Sequence, residues 1–155
     1  MPWSPRGDQI VAQGSSGLSV LAASSGERQL LQKEEGNFPE WSPDGKSVLF
    51  LLARDEMPRV WQIPASGGQI EQLTKGAAGI ARWSLDGKQI YFVGLQAQAN
   101  NIWQLSLSNR DERPITDLAG KRGQLGVPGL ATDGQYIYFT WQDPLGDIWV
   151  ADIGR

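Results

Sequence analysis

The sequence predicts an all-β protein made of about four repeats, each a small antiparallel sheet. Two markers recur along the 155 residues: a Trp-Ser-Pro-Asp-Gly-like turn and, 15 or 16 residues after its glycine, a Trp that directly follows an aliphatic residue. Repeats of roughly 40 residues are typical of β-propellers, whose blades are four-stranded antiparallel sheets. We therefore predict a β-propeller of about four four-stranded antiparallel blades, arranged as a partial or open ring.

The turn is clearest at residues 41–45, which read Trp-Ser-Pro-Asp-Gly. Ser, Pro and Gly in these places suit a type I turn, because proline presets its φ and glycine accepts a left-handed backbone. The turn returns at 83–87, is looser at 3–7 and fades at 130–134, with glycines 38, 42 and 47 residues apart. Each turn should join the first two strands of a repeat, and its aspartate should accept hydrogen bonds from the turn backbone.

Between the two markers lie apolar runs at 48–52, 90–93 and 136–139 that do not alternate with polar residues. Continuous apolar strands are expected where both faces of a sheet are covered. The first repeat has only 10–12 in this place, as suits a terminal repeat. The indoles of the markers should pack between blades. The predicted structural anchors are Trp41, Gly45, Trp61, Trp83, Gly87, Trp103, Gly134 and Trp149.

These residues resemble the repeat of TolB-type β-propellers, in which Trp-Ser-Pro-Asp-Gly-Lys precedes an apolar strand, an Ile-Trp pair and a Gly-Gly turn before Leu-Thr. Residues 38–74 match best, 80–116 nearly as well, and the resemblance extends over essentially the whole chain. It implies one TolB-like domain over residues 1–155. Its repeats are predicted at about 1–37, 38–79, 80–125 and 126–155.

In chain order, only residues 1–3 are expected to remain of the innermost strand of the first repeat. Its other strands are predicted at 8–13, 18–22 and 29–32. The second and third repeats should each have four strands. The last should stop after its third strand, as in the C-terminal portion of a larger propeller. The longest connection is predicted at 117–125. Glycine recurs at every third residue in this stretch, which should therefore form a mobile connector.

Composition excludes several classes of function. The sequence has no His and no Cys, so Ser-His-Asp or Cys-His catalysis and the usual zinc sites are excluded. The net charge is −3 without a basic stripe, which gives nucleic-acid binding no electrostatic support. No apolar run approaches the roughly 20 residues of a membrane span. We expect no enzymatic activity, no cofactor and no metal; an enzyme using carboxylates alone is the remaining catalytic alternative.

The leading functional prediction is a non-catalytic scaffold for protein–protein interaction. The resemblance implies this role, as in bacterial periplasmic TolB or in sensor propellers. The alternative is an accessory propeller of a larger peptidase, kinase or transcriptional regulator that gates or docks the functional domain. A periplasmic location is implied by the resemblance alone, because the sequence begins without an export signal. Exposed sheet edges in the first and last repeats would allow an edge-mediated oligomer.

The partner is expected to bind the face that carries the longer connections. These are residues 54–58, 96–100, 117–125 and 141–146, and function tends to lie on such loops. Trp141 is the preferred contact aromatic, because it lies outside both markers and begins a loop, where it should be exposed. The full set of predicted partner-binding residues is Arg54, Glu56, Arg59, Gln98, Asn100, Trp141 and Asp143.

Overall fold

A computed structural model describes residues 2–95, 100–142 and 148–152, the last segment and residues 127 and 128 by their backbone only. These residues contain no helix and form four antiparallel sheets, which confirms the predicted all-β fold of about four blades. The chain divides into two compact units, Met1–Lys75 and Gly76–Arg155. Each contains two of the sheets, and the single domain predicted over residues 1–155 stays a prediction.

Sheet 1, in the first compact unit, has three strands in the order β1 (Gln9–Gly14), β2 (Gly17–Ala22) and β3 (Arg28–Gln32). Trp3 forms an isolated antiparallel bridge to Ile10, on the side of β1 away from β2. A remnant of the innermost strand therefore lies where the sequence predicts it.

Sheet 2 contains β4 (Asn37–Trp41), β5 (Ser47–Arg54), β6 (Met57–Pro64) and β7 (Glu71–Gln72), paired in that order. All five side chains from Val48 to Leu52 in β5 are buried, as the continuous apolar run predicts.

Sheet 3, in the second compact unit, contains β8 (Ala78–Trp83), β9 (Gln89–Gly94), β10 (Asn101–Ser106) and β11 (Glu112–Pro114). They pair in sequence order, like the strands of sheet 2. The apolar run of β9 is buried from Ile90 onwards, again as predicted.

Sheet 4 contains β12 (Gln124–Thr132), β13 (Tyr136–Gln142) and β14 (Ile148–Asp152). The described residues end with β14 at Asp152, so the predicted stop after the third strand stays a prediction. The predicted connector is wrong at its end, because β12 begins at Gln124 and contains two of the glycines assigned to that connector. One of them, Gly129, lies so close to β13 that a Cβ atom would stand 1.9 Å from Thr140 Oγ1.

The prediction that both faces of β13 are covered is also wrong. Ile137 and Phe139 are buried, whereas Tyr138 is 38% exposed and Thr140 is exposed. The apolar sequence of this strand could not reveal the difference, because tyrosine is compatible with a buried or a solvent-facing position.

Each compact unit has an apolar core formed between its two sheets. In the first unit the buried residues are Val11, Leu18, Val20 and Leu31 of sheet 1 with Trp41, Val48, Phe50, Leu52, Trp61 and Ile63 of sheet 2. In the second they are Ile80, Tyr91, Val93 and Ile102 of sheet 3 with Leu125, Leu130, Ile137, Phe139 and Trp141 of sheet 4. Sheet-on-sheet packing thus buries an apolar cluster in each unit.

Candidate interaction surface

Each repeat turn is closed by hydrogen bonds at one end of its own sheet. In sheet 2 the Gly45 N–H donates to Ser42 O at 2.9 Å, and Gly45 has a φ of 70°. Asp44 Oδ1 accepts from Ser42 Oγ at 2.6 Å and from the Lys46 N–H at 3.0 Å. Sheet 3 repeats this arrangement at Asp86, which accepts from Ser84 Oγ at 2.6 Å. The predicted role of the turn aspartates is therefore confirmed.

These hydrogen bonds favour the ionised carboxylates. The hydrogen bond from the Ser42 hydroxyl and, to a smaller extent, the one from the Lys46 N–H hold the pKa of Asp44 below its ordinary value. The equivalent hydroxyl in sheet 3 does the same for Asp86. In sheet 4 the Tyr136 N–H is the largest cause that lowers the pKa of Asp133.

We expect the protein to lose stability in acid through these turns. A carboxyl whose pKa is lower in the folded state stabilises the fold fully above its unfolded pKa, about 3.8 for Asp44. That contribution disappears as the pH falls through the lowered value. The urea concentration at the unfolding midpoint should therefore decrease when the pH is lowered from about 5 to about 3. The decrease should be smaller in the double variant Asp44→Asn, Asp86→Asn.

The matched control for the acid experiment is Glu35→Gln, which removes an exposed carboxylate outside the turns. It should show the same dependence of the midpoint on pH as the unaltered protein. If the variant with both turn aspartates replaced loses as much stability in acid as the Glu35→Gln control, the role assigned to the turn carboxylates is contradicted.

The anchor tryptophans occupy related places in sheets 2 and 3. Trp41 and Trp83 end the first strands and are 5% and 7% exposed. Trp41 Nε1 donates to the carbonyl of Pro2 at 2.9 Å, which ties sheet 2 to the strand remnant of sheet 1. Trp61 is buried, and Trp103 is half-buried and stacks on Phe92 with ring centroids 6.4 Å apart.

In sheet 4 the turn glycine Gly134 has a φ of 89°. The Trp149 backbone pairs with Phe139 across the β13–β14 ladder.

Trp141, the preferred contact aromatic, is not exposed. Its exposure is 5%, it belongs to the core of the second unit, and its Nε1 donates to Arg122 O at 2.9 Å. The cause is the early start of β12: Leu125 pairs with Trp141, which places this residue inside β13 rather than in a loop. Its burial makes Trp141 inaccessible to a partner.

Arg54 lies at the end of β5 and stabilises the connection between sheets 1 and 2. Its guanidinium forms two hydrogen bonds with the Glu34 carboxylate, one of them from Nε to Oε2 at 3.1 Å. It also lies over the Trp61 ring, 4.7 Å from the centroid. The hydrogen bonds from Arg54 lower the pKa of Glu34. Arg54 is therefore engaged within the first unit and holds Glu34 at the surface.

The connection predicted at 54–58 is a tight hairpin rather than a loop. Arg54 pairs with Met57, and the two residues between them, Asp55 and Glu56, have φ values of 53° and 60°. Two left-handed residues are the hallmark of a type I′ turn, which usually contains Asn, Asp or Gly. Asp55 suits the first position, but Glu56 is unusual at the second, and this weakens the signal in the sequence. Glu56 is exposed at its tip, and Met57 is 38% exposed.

The remaining predicted contacts are separated in the structure. Arg59 is half-buried, with Nη2 3.2 Å from Met57 Sδ, and its Nε has no hydrogen-bond partner among the described residues. Asn100 is half-buried in the second unit, beside a shallow depression. Gln98 and Asp143 lie outside the described residues.

Phe38 is an exposed aromatic residue that the sequence reasoning missed. It lies in β4, is 43% exposed and has a φ of 52°. A left-handed backbone is unfavourable for a bulky residue, and more so before a proline such as Pro39. The Phe38 N–H donates to Gln13 Oε1 at 2.9 Å, which helps to hold this conformation. The available signal was an aromatic residue directly before proline at the start of a strand.

Comparison with known proteins identifies the family. A family profile described as the TolB beta propeller domain matches residues 2–153. The chain belongs to this family. TolB from Acinetobacter baumannii has a TM-score of 0.80 at 22% identity, over 97% of this chain and 40% of that one. A putative TolB from Agrobacterium tumefaciens has a TM-score of 0.79 at 23% identity, over 97% of this chain and 60% of that one.

More distant similarity includes an oligogalacturonate lyase from Vibrio parahaemolyticus, with a TM-score of 0.73 and 12% identity over 97% of this chain and 49% of that one. No match is found among curated proteins. This TolB-family propeller thus spans 40% and 60% of the lengths of the two TolB structures. At these sequence identities, structural similarity to the solved proteins establishes only the fold.

Two further observations concern the described residues of this TolB-family chain. No helix among them is long and apolar enough to span a membrane. No group of three acidic side chains in residues 2–95, 100–142 and 148–152 is placed to hold a metal ion.

Proposed function

We propose that this TolB-family propeller is a non-catalytic scaffold that binds a protein partner in the bacterial periplasm. Its contact surface would include the loop end of the first compact unit, defined as residues 33–38 and 54–57. The observation that carries the proposal is Phe38, an exposed aromatic side chain on a backbone conformation that such residues rarely adopt. The location follows from the family resemblance.

The conformation of Phe38 is unfavourable by about 1–3 kcal/mol and persists only because surrounding contacts hold it. Strain of this kind is concentrated at functional sites. An exposed aromatic ring also provides a large contact area for a partner, and aromatic residues are frequent among those that dominate binding energy. Phe38 therefore takes the place that the sequence analysis assigned to Trp141.

The surroundings of Phe38 are suited to rigid recognition. The Glu34–Arg54 ion pair fixes the connection between the sheets, and the tight hairpin presents Glu56 without a long loop. A surface ordered before binding loses little conformational entropy when the partner arrives. Charged groups beside an exposed aromatic resemble the polar rim around an apolar centre that is common at protein interfaces.

The other predicted contacts keep peripheral roles in this proposal. Glu56 and Arg59 would supply charge at the rim of the loop end, where charged residues influence association rate and specificity more than affinity. Asn100, together with Gln98 and Asp143, stays a predicted contact of the second unit.

We expect Phe38→Ala to weaken partner binding at least about tenfold, because truncating a dominant aromatic costs more than about 1.4 kcal/mol. The protein would be immobilised, partners captured from a periplasmic extract, and the dissociation constant of each captured protein measured by calorimetry. The matched control is Leu85→Ala, which truncates a side chain that is 62% exposed in a repeat turn.

A partner retained by the unaltered protein and by Leu85→Ala but lost with Phe38→Ala would support the proposed surface. Equal affinity of both variants for the captured partner would contradict it. Folding of each variant is checked by its circular-dichroism spectrum and urea midpoint, so that a loss of binding is not confused with unfolding.

A further inference from the structure

The outer face of sheet 4 exposes an aromatic side chain on its central strand, β13. Along β13, Ile137, Phe139 and Trp141 point into the core of the second unit, and the alternate side chains form the opposite face. On that face Tyr138 is 38% exposed and Thr140 is exposed. An exposed aromatic ring offers a large contact area to another protein surface.

The chain itself shows what covers the equivalent face in other sheets. Tyr91 stands four residues after the turn glycine of sheet 3, as Tyr138 does in sheet 4. Tyr91 is only 5% exposed, because it lies in the core shared with sheet 4. In sheet 1 the same position is Val11, which is 2% exposed in the core shared with sheet 2. Within both units, this face is therefore covered by another sheet.

Sheet 1 carries a face that can receive such a side chain. Five residues after the turn glycine, sheets 2, 3 and 4 have Phe50, Phe92 and Phe139, whereas sheet 1 has Ala12. With no ring at this position, a depression of about 250 Å³ opens, lined by Ala12 and by residues that include Leu21 and Arg28. A cavity of about 150 Å³ accommodates benzene, so this one has room for a phenol ring.

The two faces also carry opposite charges. At the depression, Arg28 is exposed, with its guanidinium donating to Ser19 Oγ at 2.8 Å and to Ser16 Oγ at 2.6 Å. Beside the exposed tyrosine, Asp133 Oδ2 accepts from the Tyr138 hydroxyl at 2.7 Å. A carboxylate thus accompanies the aromatic ring, and a guanidinium borders the depression.

We propose that a second copy of this chain covers the outer face of sheet 4. Tyr138 of one copy enters the depression at Ala12 of the next, and Asp133 of the first faces Arg28 of the second. The contact continues between molecules the sheet-on-sheet packing that each unit has within it. It joins two different surfaces, so it is heterologous and builds a ring or an open chain of copies. It differs from pairing along sheet edges, which would use backbone groups.

Sedimentation velocity on the full chain, over a wide concentration range, tests the proposal with two complementary variants. Ala12→Phe fills the depression with the residue that the other sheets have there, and Tyr138→Ser removes the side chain that enters it. Each variant alone should raise the dissociation constant of self-association at least about tenfold. When the two variants are mixed they should form heterodimers. The Ala12→Phe variant keeps Tyr138, and this side chain still fits the depression that the Tyr138→Ser variant keeps at Ala12.

The rescue on mixing separates a lost contact from a misfolded variant. Leu95→Ser, which changes an exposed apolar side chain beside Gly79 of sheet 3, should self-associate like the unaltered chain. An unaltered protein that stays monomeric at every concentration would overturn the proposal. So would self-association that persists unchanged in both variants, which would point to edge pairing, or a mixture of folded variants that forms no heterodimer.

Discussion

Replacing Phe50 with alanine is expected to lower the free energy of unfolding by about 3–5 kcal/mol. Phe50 is 1% exposed, pairs with Trp61 across the β5–β6 ladder and belongs to the core between sheets 1 and 2. Removal of the ring takes away its transfer free energy and leaves a cavity. The ladders on both sides hold the backbone, so the cavity closes only partly. Urea denaturation followed by tryptophan fluorescence measures the loss.

Phe38→Ala is the matched control, because it removes the same atoms from a side chain that is 43% exposed. Its loss should be less than about 1 kcal/mol, as for most surface substitutions. Similar losses in the two variants would contradict the assignment of Phe50 to the core. The same Phe38 variant tests partner binding, so one protein reports separately on stability and function.

Gly17→Ala should lower the free energy of unfolding by about 3 kcal/mol through a backbone clash. Gly17 begins β2 with a φ of 101°, and a Cβ atom there would stand 2.0 Å from Gln32 O. Two backbone atoms of Lys33 lie 2.8 Å from the same point. Backbone atoms cannot rotate away as a side chain can, so β3 or the connection after it must move. The urea midpoint and the slope of the transition measure the effect.

Gly14→Ala provides the control at the other end of the same hairpin, since Gly14 pairs with Gly17. A Cβ atom at Gly14 would meet nothing within 4 Å, and its φ lies outside the left-handed region. We expect a change of less than about 1 kcal/mol, in the stabilising direction, because alanine restricts the unfolded chain more than glycine does. Equal destabilisation by the two substitutions would argue against a clash at Gly17.

Much of the candidate surface was misjudged from sequence for reasons that are tertiary. Trp141 was expected in a loop, but the pairing of Leu125 with it, more than a dozen residues away in the chain, places it in the core. Arg54 was expected in a long loop that contacts a partner, but it ends β5 and its guanidinium is engaged by Glu34 and Trp61. Phe38 became a candidate only when its backbone conformation and its exposure were known.

The sequence by itself determined the repeats, the turns and most of the strands. These features are local: the Ser-Pro-Asp-Gly turn is specified by the φ preferences of proline and glycine and by a carboxylate two residues from its N–H partner. The tertiary structure decided which faces are covered. Tyr91 and Tyr138 hold the same place in their repeats, yet one is buried and the other exposed. The difference is the presence of a neighbouring sheet, and burial depends on contacts between strands that are distant in the chain.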